Sequence, residues 1–163
     1  MVPHPPRVRA PAERVLSVSA RPFTVEFELH PRFRDTDAMG HINNAVYVTY
    51  LEVGRQEYWK RFSRTPDYRR VPFILANVTI DFRSEALVHE TLGIALRCEW
   101  IGTRSFAFGY EIREPASRRL VVEATTVQVC YDYEAKHSVP MPAELRCQIE
   151  AFEGRSLTRG VTP

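Results

Sequence analysis

One stretch of this chain is satisfied only as a buried helix. Tyr47, Leu51, Gly54, Tyr58 and Phe62 recur at steps of four, three, four and four, and Val46, Tyr50 and Val53 form a second apolar stripe beside them. A surface helix needs one such stripe; two make a face wide enough to demand a sheet beneath it. At about 1.5 Å per residue, residues 44–62 predict a helix of roughly 28 Å, with Asn43 or Asn44 as the N-cap whose side-chain oxygen accepts from first-turn amides. Gly54 in mid-helix costs about 1 kcal/mol relative to Ala, which predicts a point where another element packs close.

The rest of the chain supplies that sheet. Phe23, Val25, Phe27 and Leu29 alternate with polar neighbours until His30-Pro31, the period of a half-buried strand. A second run covers Phe73–Phe82. Leu92, Ile94, Leu96, Cys98 and Trp100 then alternate up to the Gly102-Thr103 turn, Phe106 to Ile112 alternate in the next strand, and Leu120–Tyr131 makes a long last one. Short connections between these three predict an antiparallel meander. A closing helix starts near Pro142, with Leu145, Ile149 and Phe152 at helical spacing and Glu144 in its first turn. With no alternating strand–helix units, the order predicts an α+β fold: one long helix against an antiparallel sheet of about five strands. The expected organisation is a Pro- and Arg-rich arm over 1–20, a domain over 21–155 and a tail over 156–163, with a polar loop at 63–70.

Charge and cysteine content narrow the function. Arg7, Arg9 and Arg14 against Glu13 account for the whole formal charge of +2, so the body is formally neutral, unlike a module built to neutralise phosphates. Nucleic acid is therefore not an expected partner. Cys98, Cys130 and Cys147 are an odd number without a Cys-x-x-Cys pair, which excludes a disulfide scaffold and a zinc ribbon. Neither a secretory apolar run at the start nor a span-length apolar stretch is present, so the expectation is a cytoplasmic protein with no membrane partner.

The chemistry is concentrated in Arg34 to Tyr47, R-D-T-D-A-M-G-H-I-N-N-A-V-Y. An Asp-x-Asp pair can simply cap its own turn. Here, however, Asp37 stands seven residues before Asn44 with Gly40 between to permit a reversal, so its carboxylate can return to the start of the buried helix. That helix end offers unpaired N–H groups and the positive end of the dipole, which suit a developing oxyanion. A carboxylate facing free amide donors is the minimum apparatus for hydrolysing an activated acyl group. Asp35, Asp37 and His41 lack the further ligands a hard cation requires, so no metal and no cofactor is expected. His89-Glu90 opens a zinc-protease-like pattern whose fifth position is Gly93, which rules it out.

The segment D-T-D-A-M-G-H-I-N-N-A-V-Y, followed by Y-L-E-V-G-R-Q-E-Y, resembles the hotdog-fold acyl-CoA thioesterases, the group of 4-hydroxybenzoyl-CoA thioesterase and the YbgC- and FadM-type enzymes. The resemblance in pattern runs from about Phe23 to Phe152. It implies a hotdog fold, an acyl-CoA substrate, Asp37 as the catalytic carboxylate and the Asn44 N–H as oxyanion donor. His41 then orients Asp37 or contacts substrate, Tyr47 lines the acyl pocket, and Asn43 serves as a structural cap within the binding site. Arg83 is a candidate for the phosphates of CoA. The family commonly has Gly-Asp where this chain has His89-Glu90. It also implies homodimers with sites at the subunit boundary, often paired into homotetramers. Two other functions share the scaffold: a non-catalytic acyl-CoA sensor, for which twenty Pro-rich residues are no DNA-binding domain, and an enoyl-thioester hydratase, which wants a differently placed acid–histidine pair.

Overall fold

The structure is a computed structural model and describes residues 21–61 and 72–158. The arm at 1–20, the loop at 63–70 with its flanking Phe62 and Val71, and the chain after 158 lie outside the described residues. Five main strands form one antiparallel sheet: β1 (Val25–Leu29), β2 (Phe73–Phe82), β3 (Leu92–Ile101), β4 (Ser105–Glu114) and β5 (Arg119–Asp132), in the order β1-β3-β4-β5-β2. A two-residue strand, β6 (His137–Ser138), pairs with the end of β5. The predicted meander is β3-β4-β5, and β2 occupies an edge, joined to β5 alone among the described strands.

Helix α1 (Val46–Trp59) lies across this sheet, chiefly over β3. Its buried side comprises Tyr47, Tyr50, Leu51, Gly54, Arg55 and Tyr58; five of these come from the two stripes read from the sequence, Arg55 from neither, and Val46 and Val53 are only half-buried. Gly54 sits where the contact is tightest, since a Cβ there would lie 3.3 Å from Tyr110 Cε1 and 3.6 Å from Leu96 Cδ1. At the far end of the helix the Tyr58 ring packs edge-on against Phe108 at 4.6 Å and Phe152 at 5.3 Å. Such ring pairs each contribute about 0.5–1.5 kcal/mol beyond the area they bury.

Helix α2 (Ala143–Glu153) closes the other end of the sheet. Its Glu153 Oε1 accepts from the Tyr58 hydroxyl at 2.7 Å, the Cys98 N–H at 2.7 Å and Thr24 Oγ1 at 3.0 Å. The Cys98 amide faces the same side of β3 as the Leu96 carbonyl, and it is available because β1 begins only at Val25, opposite Leu96. One carboxylate thereby ties α1, β3 and the start of β1 together, and burial pushes the Tyr58 hydroxyl and Cys98 thiol upward in pKa.

Two sequence expectations are corrected here. The regular helix begins at Val46, and the residue ahead of it is Ala45 with no side-chain cap, not Asn43 or Asn44. Asn43 acts one step earlier: its Oδ1 accepts from the Ala45 N–H and its carbonyl from the Val46 N–H, both at 2.9 Å, so it closes the turn that leads in. The packing also continues past 155. Leu157 is 1% exposed and its carbonyl accepts from the Ile101 N–H at 2.6 Å, so a tail boundary at 155 cuts through the core.

Candidate active site

The polar segment between β1 and α1 folds back on itself as a tight reversal. Thr36 and Ile42 form an antiparallel bridge, the Asp37 N–H donates to the His41 carbonyl at 2.8 Å, and Gly40 takes φ +83°, a conformation open to glycine. Asp37 therefore stands at the mouth of the turn. Its Oδ1 accepts from the Met39 N–H at 2.8 Å and the His41 N–H at 3.1 Å, while Oδ2 has no hydrogen-bond partner among the described residues. The self-capping role open to an Asp-x-Asp pair is thus filled by one oxygen of Asp37, and the other is left over.

Asp35 has a different task. It is 3% exposed, and its Oδ2 accepts from the Arg32 N–H and the Tyr50 hydroxyl, each at 2.9 Å, while Oδ1 meets the Arg32 guanidinium at 3.2 Å. Its carbonyl accepts from the Asn43 N–H at 2.9 Å. Burial pushes the Asp35 carboxyl up, but the Arg32 amide and guanidinium and the Tyr50 hydroxyl outweigh it, so its pKa lies below the ordinary 3.8. Asp35 thus pins the loop to α1 through its side chain and to the turn that leads into α1 through its backbone.

A second segment is stapled to the loop from the end of β2. The Ile42 N–H donates to the Ala86 carbonyl at 2.8 Å, and His41 bridges to Leu87. Between loop, helix start and strand end lies a cavity of about 440 Å³. Asp37, His41, Asn43, Asn44, Tyr47 and Arg83 all line it, so the six residues singled out in the sequence stand around one space. The Asn44 N–H has no partner among the described residues.

Their engagements differ. Tyr47 is buried edge-on to Phe82 at 5.5 Å, and burial, assisted by Glu90, pushes its hydroxyl up to about 12. Arg83 reaches the rim with its guanidinium held by Glu123 at 2.7 Å. The Asn43 side-chain oxygen is occupied by the Ala45 N–H. His41 contributes both backbone groups to the reversal. Met39, Ile42, Phe82, Ser84 and Glu85 also line the cavity and were not picked out from sequence; those from the strand end lie far downstream of the motif and carry no local pattern of their own. The His89-Glu90 turn is braced by Glu90, which accepts from the Leu87 N–H at 2.9 Å and pairs with Arg119 at 2.6 Å. Among the described residues, no group of three or more His, Cys, Asp or Glu side chains is placed to hold a metal ion, and no helix is long and apolar enough to cross a membrane.

Comparison with known proteins agrees with this architecture. Residues 31–149 match the model of the Thioesterase-like superfamily. The long-chain acyl-CoA thioesterase FadM of Escherichia coli K12 is 24% identical over 119 residues, which span 70% of this chain and 88% of that protein. A putative acyl-CoA thioesterase of Bacillus subtilis, YneP, is 26% identical over 111 residues, 66% of this chain and 80% of its own. Among solved structures, a thioesterase of Thermus thermophilus complexed with coenzyme A and Zn superposes with a TM-score of 0.74 at 28% identity, covering 83% of this chain and 98% of that one.

Proposed function

This chain belongs to the Thioesterase-like superfamily, and from that premise we propose that it hydrolyses acyl-CoA thioesters to the free carboxylic acid and CoA, with Asp37 as the reacting carboxylate and the Asn44 N–H as the oxyanion donor. The observation that carries this reading is the pairing of an unengaged Asp37 oxygen with an unengaged Asn44 amide around one cavity. A thioester is already activated, because its sulfur delocalises poorly into the carbonyl and thiolate leaves readily. One carboxylate therefore suffices. Asp37 either adds to the carbonyl carbon, expelling CoA thiolate to leave a mixed anhydride that water opens, or takes a proton from the water that adds in its place. On both routes the negative charge grows on the thioester oxygen, where the Asn44 N–H and the positive end of α1 stabilise it.

The two amides on Asp37 Oδ1 hold the carboxylate in one orientation, so little reorganisation is needed when substrate arrives. A second copy of the chain completes the arrangement by pairing along the free edge of β2, which would otherwise present a row of unpaired backbone groups. Thiol release from a panel of straight-chain, branched and aromatic acyl-CoAs tests the activity, with turnover of at least one expected; no release from any of them removes the reading. Sedimentation at micromolar concentration tests the dimer.

A further inference from the structure

A second carboxylate lines the Asp37 cavity. Glu85 is exposed, and its side chain has no partner among the described residues. Its backbone, by contrast, is held from both sides. The His41–Leu87 bridge is antiparallel and the Ile42 N–H donates to the Ala86 carbonyl at 2.8 Å, so Glu85 stands opposite Asn43. Ile42 and Ala86 are turned into the core, 3% and 1% exposed, and alternation puts Glu85, Asn43 and His41 on the other face, where all three line the cavity. From outside, the Arg119 guanidinium donates to the Glu85 carbonyl and to Ser84 Oγ at 3.0 Å, and it pairs with Glu90 at 2.6 Å. Glu90 in turn accepts from the Leu87 N–H at 2.9 Å. The His89-Glu90 turn thereby clamps residues 84–87 and gives Glu85 a fixed root.

Asp37 is the neighbour of His41 on the opposite side, since its N–H donates to the His41 carbonyl and its Oδ1 accepts from the His41 N–H. Asp37 and Glu85 therefore flank the His41–Asn43 segment as the outer strands of a small ribbon. Two strand spacings separate their backbones, about 10 Å, and both side chains line the one cavity of about 440 Å³. Hydrolases that seat a water and a reacting carbon between two carboxyl groups hold them roughly 6.5–9.5 Å apart. A glutamate reaching in from Glu85's distance leaves that room. The His41 side chain, in direct register with Asp37, stands beside the nucleophile and not across the reacting carbon from it.

Taking Asp37 as the reacting carboxylate, we propose that it attacks the thioester itself and that Glu85 is the base of the second half-reaction. A carboxylate that has become one half of an anhydride has lost the charge with which it could deprotonate water, so a nucleophilic Asp37 calls for another base. Asp37 Oδ2 adds to the thioester carbonyl carbon, the C–S bond breaks, and CoA leaves as a thiolate that takes a proton from solvent. Water then adds to the same carbon while Glu85 accepts one of its protons. The bond from that carbon to Asp37 breaks, Asp37 returns as a carboxylate, and the carboxylic acid departs with the other proton. Glu85 releases its proton to solvent and is ready for the next turnover.

Rapid-mixing thiol release on the full chain, with the best acyl-CoA of the panel in excess, tests this. Glu85→Gln is expected to lower kcat about 100-fold while its first turnover keeps the wild-type rate, so that one CoA per site appears in a burst and the protein gains the mass of the acyl group. Its melting temperature should stay that of the wild type, because the side chain holds nothing in place; Glu85→Ala serves as a second variant with the same expected burst. Hydroxylamine, which opens an anhydride without a base, should restore turnover of Glu85→Gln with an acyl hydroxamate as product. Adding Asp37→Asn should abolish the burst. A Glu85→Gln protein that turns over at the wild-type rate overturns the proposal, as does a loss of rate already present in the first turnover, or a burst in His41→Gln in place of Glu85→Gln. Each of these leaves thioester hydrolysis standing, whereas no thiol release by the wild type from any acyl-CoA removes the thioesterase reading and the proposal with it.

Discussion

Asp35 and Asp37 are two residues apart in one loop, yet they face opposite regions of the molecule. Asp35 is turned inward, with both oxygens engaged by Arg32 and Tyr50. Asp37 is turned to the cavity, with one oxygen held by the loop's own amides and the other without a partner among the described residues. The same side chain is thus an anchor where every lone pair is satisfied from outside the turn, and a reagent where the turn satisfies only half of it. Stability and chemistry are separated over a distance of two residues.

Asp37→Asn breaks the reagent and spares the anchor. It is expected to lower kcat for acyl-CoA hydrolysis by about three orders of magnitude, because the amide retains Oδ1 as an acceptor for Met39 and His41 but can neither attack nor take a proton. The melting temperature should stay near that of the wild type; thiol release and a thermal melt of one preparation measure both. A variant that turns over at the wild-type rate would remove Asp37 from the chemistry.

Asp35→Ala does the reverse. It leaves the Tyr50 hydroxyl and the Arg32 amide without their acceptor and should cost about 2–3 kcal/mol of stability in denaturant unfolding. If the melt is unchanged, Asp35 is no anchor. Because its folded pKa lies below 3.8, the Asp35 contribution is present above the unfolded carboxylate value and is lost as pH falls through the lowered folded one. The stability difference between wild type and Asp35→Asn should therefore hold at neutral pH and shrink in acid, which urea titrations at several pH values would follow.

Two smaller effects sharpen the contrast. Tyr50→Phe removes one of the donors to Asp35 and should cost about 1 kcal/mol, with kcat reduced only as far as the loop loosens. Gly54→Ala places a methyl against Tyr110, whose hydroxyl is bonded to Thr126 and which cannot easily retreat, so the crowding should outweigh the gain in helix propensity by about 1 kcal/mol. A stabilised Gly54→Ala protein would show that α1 and β4 have more room to part than the packing indicates.

The sequence by itself determined the elements and the location of the chemistry. The two stripes of α1 and the period-two runs of β1 and β3 to β5 are local patterns, because burying one face imposes a fixed spacing on the apolar residues. The reversal at Gly40 and its nearness to the helix start are equally local, so Asp37, His41, Asn43, Asn44 and Tyr47 could be named together. What the tertiary structure alone decided is which groups are engaged and which are left over. That Asp35 reaches Tyr50, that Ala86 and Leu87 staple the loop, and that Leu157 belongs to the core all depend on pairings between segments apart in the chain, where spacing carries no signal. Arg55 is the clearest case: it belongs to neither apolar stripe, and only the packing of the sheet against α1 shows that its guanidinium is buried beside the Tyr110 hydroxyl.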